Sequence, residues 1–437
     1  MTFETREDKS LNRIISRMGF GAMNINGVIG AGIFGLPAVA AAMTGAFSPW
    51  IFVISGLLIF TVVLCFAHAA SHFRNTGGIT IYAGYAFGPM VGFQAGWLSY
   101  IGRVSAFGAN SNLLVSYASW FWAPLDAEPF RSIILCALTT VLIWVNIRGV
   151  KSSVAVVYMF TMLKLLPLSL LVLFGLGHID LQMLSSAEIP EFGVLGETVL
   201  IVVYAFVGFE GTVVTAGEAR SPRRDLPKAL TQSIALIFVI YVLIQMVAVS
   251  ALPSLAQSTR ALTDVGGVLM GAFGTALLSL GAVFSITGNL SATVLSAPRI
   301  TYALARDGTM PAALAKVHPV YHTPYVSLLF YGALCLILAL TGSFVWLAVM
   351  STLTRLLTYI VCIIAIPRLQ RKRRFEEVQH RLPGGYMIPV VALLLCLWLM
   401  TYVSLAAWLT TFGFMLFGTL LYYWGMRQDH NRSDPHT

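Results

Sequence analysis

Four ionisable side chains lie within long apolar segments, where charge is costly and therefore informative. One is an acid, Glu210, and three are bases, Arg103, Lys164 and Arg355. Burial favours the neutral form of a carboxylic acid, which makes Glu210 a candidate proton carrier or gating switch. The alternative is a permanently ion-paired structural acid. The sequence leaves both interpretations of Glu210 open.

The three bases suggest different roles. Lys164 lies in the run FTMLKLLPL. Its ammonium could take the place of a bound sodium ion and link the helix that is broken by glycine at residues 26–38 to the segment at 268–292. The alternative is that the side chain snorkels to the membrane interface. For Arg103 we favour an ion pair with Glu210 over a bidentate contact to a second acidic group on a substrate. Arg355 is expected to serve helix packing or a gating ion pair rather than to bind a ligand.

Two apolar segments are interrupted at their centres by glycine. They read NGVIGAGIFGLPA, residues 26–38, and VVYAFVGFEGTVV, residues 202–214. Such a break frees backbone N–H and C=O groups that lipid cannot satisfy, so it persists only where it lines a cavity. Paired breaks in repeated halves indicate a transporter's binding site. Close helix packing by small residues is the alternative.

The freed backbone groups suit a small zwitterion. The start of the second half-helix favours a carboxylate, and the carbonyl end of the first favours an amine. The candidate carboxylate donors are the amides of Ala31, Gly32 and Ile33. The candidate amine acceptors are the carbonyls of Val28, Ile29, Tyr204, Phe206 and Val207.

Other polar residues carry weaker signals. Asn289, Ser291 and Thr293 could face the cavity or hydrogen-bond between helices. His68 and His72 are expected at the membrane interface rather than as ligands. The five cysteines lie in apolar segments without metal-ligand spacing, so we expect neither a metal, a cofactor nor a disulfide framework.

The elements that position these residues are membrane helices. With 437 residues, 57% of them hydrophobic and only 10% charged, the chain has too little charged surface for a soluble protein of its size. An all-α membrane protein with twelve spans is predicted. Their approximate extents are 18–43, 49–73, 89–119, 131–149, 153–177, 195–217, 229–252, 268–292, 324–342, 344–366, 387–407 and 409–426.

The order of the spans predicts a repeat. If spans one to five (18–177) correspond to spans six to ten (195–366), the two broken helices open equivalent halves. Because five is odd, the second half enters from the opposite side, which gives a 5+5 inverted repeat. The two spans in 387–426 stand outside it. The whole chain, 1–437, is expected to form one membrane transport domain.

The net charge is +9. The distribution of its Lys and Arg residues indicates membrane topology rather than nucleic-acid binding. With the N-terminus cytoplasmic, 22 of the 27 Lys and Arg residues fall on the cytoplasmic side, two outside and three within spans. This asymmetry follows the positive-inside rule and predicts that both termini are cytoplasmic. Examples of the cytoplasmic residues are Arg6, Lys9, Arg13, Arg17, Arg148, Lys151, Arg220, Arg223, Arg224, Lys228, Arg368, Arg371, Lys372, Arg373 and Arg374.

Four ordered stretches resemble one family. They are GVIGAGIFGLPA, FGPMVGFQAGW, AFVGFEGTVVTAGEARSPRRDLPKAL and APRITYALARDGTMPAALAKVHPVYHTP. They are similar to the signature blocks of the amino acid–polyamine–organocation permeases. The resemblance covers nearly the whole chain and implies the leucine-transporter-like 5+5 fold with broken helices 1 and 6, and amino acid transport by alternating access.

The resemblance also implies residue roles. It assigns the substrate carboxylate to Ala31 and Gly32, proton-sensitive gating to Glu210, and replacement of sodium to Lys164. It assigns the substrate amine to the carbonyls of Val28, Ile29, Tyr204 and Val207. Two departures stand out: Arg103 replaces a neutral amide of an arginine-exporting relative, and Tyr204 replaces its gating tryptophan.

The sequence therefore predicts a sodium-independent amino acid permease of the inner membrane, proton-coupled or exchanging, that favours neutral or acidic substrates. The partners expected are the amino acid, protons and lipid, without nucleic acid, in a monomer or homodimer. A polyamine or cationic amino acid antiporter and a non-transporting sensor on the same fold remain alternatives. The sequence lacks the rings of charge expected of a channel. It also lacks the nucleophile paired with a base that an enzyme would need.

Overall fold

The computed structural model describes residues 16–73, 78–149, 154–214, 222–372 and 384–433. Regular structure in these ranges is entirely helical. The helices are α1 Arg17–Val28, α2 Gly32–Thr44, α3 Ser48–Ser71, α4 Ile79–Phe87, α5 Pro89–Ala118, α6 Phe130–Ile147, α7 Val154–Gly175, α8 Leu181–Ser185, α9 Phe192–Val203, α10 Glu210–Val214, α11 Pro222–Ala251, α12 Ala261–Ser296, α13 Pro298–Arg306, α14 Tyr325–Thr341, α15 Phe344–Lys372, α16 Met387–Met400 and α17 Leu405–Ser433.

Helical segments occupy every predicted span. Within the described ranges, 7 helical stretches are long and apolar enough to cross a membrane, and three shorter apolar helices accompany them. The protein is therefore a multi-pass membrane protein. Helix α5 falls outside that set although it has 30 residues, because polar side chains such as Arg103, Asn110 and Asn112 interrupt its apolar run. The count of twelve crossings stays a prediction.

Several parts of the topology prediction lie outside the described residues. They are Arg6, Lys9, Arg13, Lys151, Arg220, Arg373 and Arg374. Several intervals between predicted spans contain helix. Helices α4, α8 and α13 lie wholly within such intervals. Helix α12 begins at Ala261, before the predicted span 268–292, and bends at Gly271, where φ is 63°.

The helices break at both glycine runs. Helix α1 ends at Val28 and α2 begins at Gly32. Helix α9 ends at Val203, and a 3₁₀ turn and an extended Val207 (φ −84°, ψ 163°) precede α10. The first break therefore spans fewer residues than the second.

Glycine allows the two breaks to pack directly against each other. Gly208 has φ +116°, and a Cβ placed there would lie 2.5 Å from the Gly27 carbonyl oxygen. A Cβ on Gly32 would lie 2.6 Å from the Ala205 Cα. No side chain fits at either contact. The glycines thus serve both predicted purposes, since they break the helices and also bring the breaks together.

The surrounding helices form a buried frame around this contact. Helix α1 packs against α7, α10 and α11, while α5 packs against α12, α14 and α15. Helix α3 packs along α11 and α9. The first break is therefore held between α7 and α12, and the second faces α5 and α15.

Candidate functional site

A cavity of ≈ 510 Å³ lies where the two breaks meet α5, α12 and α15. This volume is in the range of small-molecule sites. The predicted binding residues that line it are Val28, Ala31, Gly32, Arg103, Tyr204, Val207, Glu210, Asn289 and Thr293. Further lining residues include Asn26, Gly30, Asn110, Asn146, Ser291, Ser296, Arg299 and Arg355.

The first break turns the start of α2 toward the cavity. The amides of Phe34 and Gly35 both donate to the Ala31 carbonyl at 3.0 Å. The earlier amides of the first turn have no intrahelical acceptor, because no preceding helical carbonyls exist for them. Ala31 and Gly32 thus present donors at a lining position. Ile33, predicted with them, is fully buried and does not line the cavity.

Lys164 closes the carbonyl end of the first break. Its Nζ donates to the carbonyls of Asn26 at 2.9 Å and Ile29 at 2.8 Å, and its side chain is fully buried. Snorkelling to the interface is thus excluded for this conformation. The Ile29 carbonyl, predicted to receive a substrate amine, is already bonded to Lys164 and lies outside the cavity lining.

Asn289, rather than Lys164, connects the first break to α12. Its Nδ2 donates to the Gly27 carbonyl at 3.0 Å, and its Oδ1 accepts from Asn110 Nδ2 at 2.9 Å. Among the described residues, Lys164 Nζ hydrogen-bonds only to Asn26 in α1 and to Ile29, the residue that follows α1. The predicted link from Lys164 to α12 is therefore replaced by an amide.

Glu210 forms its ion pair with Arg355, and not with Arg103 as we predicted. Arg355 Nε donates to Glu210 Oε1 at 2.6 Å. Tyr359 Oη donates to Oε2 at 3.1 Å, and the Gly208 amide donates to the same oxygen at 2.9 Å. These three donors replace the hydration that a carboxylate anion loses on burial. In this conformation Glu210 is therefore an ion-paired carboxylate.

Arg355 is anchored on its other side by backbone. Its Nη1 donates to the Gly102 carbonyl at 3.1 Å and also contacts the side chain of Ser351. A Cβ on Gly102 would lie only 2.6 Å from Thr354 Oγ1, so glycine lets α5 approach α15 this closely. Because the helix register of α5 against α15 places Gly102 there, the neighbouring Arg103 projects elsewhere.

Arg103 projects into the cavity. Its Nη1 donates to Ser296 Oγ at 3.1 Å, and its guanidinium lies against Gly211. The side chain is 8% exposed, and Nε has no hydrogen-bond partner among the described residues. The guanidinium is therefore held by one hydroxyl, and among the described residues no carboxylate lies within ion-pair distance of it.

A tyrosine–amide chain crosses the cavity from the second break. Tyr204 Oη donates to Asn110 Oδ1 at 2.6 Å, and Asn110 in turn reaches Asn289. Tyr204 and Val207 line the cavity, as predicted. Phe206 does not, since it packs against Phe52 and Tyr241. The chain ties the second break, α5, α12 and the first break into one network.

Sequence reasoning missed Asn110, Asn26 and Tyr359. Asn110 lies seven residues after Arg103, which is two helical turns and hence on the same face of α5. That spacing is a usable signal for cavity-lining residues. Tyr359 lies four residues after Arg355 on α15 by the same rule. Asn26 acts through its carbonyl, which no side-chain pattern reveals.

The histidines and cysteines lie apart from the cavity. His68 and His72 lie at the end of α3 and are buried against the protein, with ring nitrogens 3.4 Å apart and His68 Nε2 2.9 Å from Gln370 Nε2. In the described part of the chain no group of three metal-ligating side chains occurs. Cys65, Cys335, Cys362 and Cys396 are buried free thiols, and Cys136 is partly exposed.

A multi-pass helical membrane protein with a central cavity between two broken helices has the architecture in which many transporters bind their substrates. Comparison with known proteins narrows this class. The sequence profile of the family described as amino acid permease matches residues 16–426. The chain therefore belongs to the amino acid permease family, whose members are transporters and not enzymes.

Three relatives from Bacillus subtilis (strain 168) illustrate this family. The chain is 26% identical to the branched-chain amino acid permease BcaP, over 96% of this chain and 94% of the relative. It is 26% identical to the serine/threonine exchanger SteT, over 89% and 90%, respectively. It is also 25% identical to a methylthioribose transporter, over 95% and 94%. Two of these names state amino acid substrates and the third states methylthioribose, so the comparisons support amino acid transport at the level of the family and assign no particular substrate to this chain.

Proposed function

We propose that this protein is a secondary active transporter that moves L-amino acids across the bacterial inner membrane by alternating access. Two helix breaks that touch at Gly27 and Gly208, and that line a single cavity, carry the proposal. Proteins with paired breaks bind at the repeat interface and rock one bundle against the other. The twelve spans and the 5+5 inverted repeat, with cytoplasmic termini, belong to the same proposal.

The substrate is placed with its carboxylate at the amides of Ala31 and Gly32, next to the positive end of α2. Its amine is placed at the carbonyls of Val28, Tyr204 and Val207. No cationic side chain is needed for the carboxylate, because amides at a helix start bind anions directly. The cavity volume of ≈ 510 Å³ accommodates a small zwitterion.

Sodium independence is proposed from Lys164. Its ammonium binds two carbonyls of the first break in a fully buried position. An ammonium fixed at this position repels a sodium ion, and it occupies the carbonyl oxygens that the ion would need as ligands. Transport would then be coupled to protons or proceed by exchange.

Glu210 is the proposed coupling residue, because no other described carboxylate lines the cavity. Protonation would release Arg355 and free the α10 segment from α15. The Glu210→Gln variant is then expected to flatten the pH dependence of transport while substrate binding stays measurable. An unchanged pH profile would leave exchange without proton coupling.

Uptake by purified protein in proteoliposomes tests the proposed function. We expect uptake of neutral or acidic L-amino acids, unchanged when potassium replaces sodium, and accelerated by amino acid inside the vesicle if the protein exchanges. Strong arginine or putrescine uptake without alanine, leucine or glutamate uptake would support the polyamine alternative instead. Binding without any flux would identify a sensor.

A further inference from the structure

The lining of the cavity carries more positive than negative charge. Its charged residues, among those described, are Arg103, Arg299 and Arg355 against the single carboxylate of Glu210. That carboxylate already forms an ion pair with Arg355, with Nε and Oε1 2.6 Å apart. Arg299 is exposed and can be hydrated. Arg103 is therefore the buried cation of the lining that has no carboxylate within ion-pair distance among the described residues, because the nearby Glu210 is bonded to Arg355.

Burial makes this imbalance significant. A guanidinium that is 8% exposed, with one hydroxyl partner and an unpartnered Nε, forfeits much of its hydration. An incoming carboxylate would restore both the charge and the missing hydrogen bonds, since guanidinium binds carboxylate in a bidentate geometry. The site is thus preorganised for an anion supplied by the ligand.

The position of Arg103 relative to the first break sets the length of that ligand. Asn289 marks the level of the first break, because it bonds the Gly27 carbonyl and lies against Gly30. Ser296, the partner of Arg103, follows seven residues later on α12. Asn110, the partner of Asn289, likewise follows Arg103 by seven residues on α5. Seven helical residues rise about 10 Å.

A dicarboxylic amino acid spans this distance. The outer carboxylate oxygens of extended glutamate are about 7 Å apart from the bond lengths. Adding a hydrogen bond of about 3 Å at each end gives a reach of up to about 13 Å between donors, which covers the rise of about 10 Å. One carboxylate can therefore meet the amides of Ala31 and Gly32 while the other meets Arg103.

We propose that Arg103, held by Ser296, forms the specificity subsite for a second carboxylate, and that the transported substrates are acidic amino acids of glutamate length. This rests on the proposed function and narrows it. The neutral amide analogue glutamine has the same shape but leaves Arg103 buried without an anion. Discrimination by one charge-assisted contact is expected to be about 10- to 150-fold.

Paired substrates test the subsite. In proteoliposomes, uptake efficiency for L-glutamate is expected to exceed that for L-glutamine by the factor above, and Arg103→Gln should remove the preference. Arg103→Lys should restore it in part, because a point charge replaces the fork. Arg148→Gln is the matched control: Arg148 stacks 4.0 Å over the Trp144 ring, outside the cavity lining.

The outcomes separate the possible failures. Glutamine uptake equal to that of glutamate, or an equal loss of both in Arg103→Gln, would overturn the subsite while amino acid transport stands. No amino acid uptake at all would overturn both proposals. Neutral uptake that requires external chloride, and is lost when gluconate replaces chloride, would assign Arg103 to an inorganic anion. If Arg103→Gln fails to fold, glutamate and glutamine binding to the wild-type protein decides the question.

Discussion

At the scale of single residues, the cavity region separates three buried cations into three tasks. Lys164 bonds the broken backbone of the first helix, Arg355 neutralises Glu210, and Arg103 faces the cavity. The residue types alone do not distinguish these tasks. The partners do, because each cation is defined by the group that replaces its hydration.

Lys164 should be essential to the first break. We expect Lys164→Ala to slow transport at least tenfold, because two buried carbonyls lose their donor, at a cost of about 1–3 kcal/mol each. Initial uptake rates at matched membrane abundance measure the effect. Lys316→Ala, at an exposed lysine, is the control. Near-normal rates in Lys164→Ala would reduce Lys164 to a packing residue.

The Glu210–Arg355 pair should be strongly coupled. Removing one partner leaves a buried charge uncompensated, which costs about 3–5 kcal/mol, whereas replacing both can be nearly neutral. We expect Glu210→Gln and Arg355→Met each to lower the melting temperature in detergent. The double variant should recover most of that loss. Additive effects would show that the two side chains do not act as a pair.

At the scale of elements, the contact between the two breaks depends on glycine. Gly208 combines φ +116° with a hypothetical Cβ only 2.5 Å from the Gly27 oxygen. Ordinary side chains therefore fail there for two reasons, backbone conformation and space. The helix break and the packing of the halves are one structural feature.

Gly208→Ala should separate the breaks. We expect a loss of stability above about 1 kcal/mol, because alanine disfavours positive φ, together with loss of transport. Gly413→Ala in α17 is the matched control, since a Cβ there meets nothing within 4 Å. Thermal unfolding and uptake of both variants provide the measurement. Wild-type behaviour of Gly208→Ala would contradict the observed contact.

At the scale of the whole molecule, the charge asymmetry orients the protein. Lys316 lies between α13 and α14, and Ser186 directly follows α8; both residues are exposed. The positive-inside rule places the first on the cytoplasmic side and the second outside. Both positions can carry a reporter without disturbing the buried helices.

Cysteine labelling can test this orientation. In a Cys136→Ala background, where the four remaining thiols are buried, we expect Ser186→Cys to react with a membrane-impermeant maleimide in intact cells. Lys316→Cys should react only after permeabilisation. The reverse pattern would place the termini outside and invert the proposed direction of the repeat.

The sequence by itself determined the membrane class, the helix breaks and most lining positions. These depend on local properties: apolar run length, glycine at a helix centre, and the cost of an isolated charge. Helix extents were predictable for the same reason, apart from short helices such as α4 and the extension of α12 to Ala261. Their sequences lack the long apolar runs by which spans are recognised.

Only the tertiary structure decided which charges meet. Arg103 and Arg355 are both close to the Glu210 region, but the approach of α5 to α15 places Gly102 beside Arg355 and turns Arg103 toward Ser296. Likewise, Asn289 rather than Lys164 joins α12 to the first break. Side-chain pairing depends on the rotation and register of packed helices, and these are fixed by contacts between residues hundreds of positions apart.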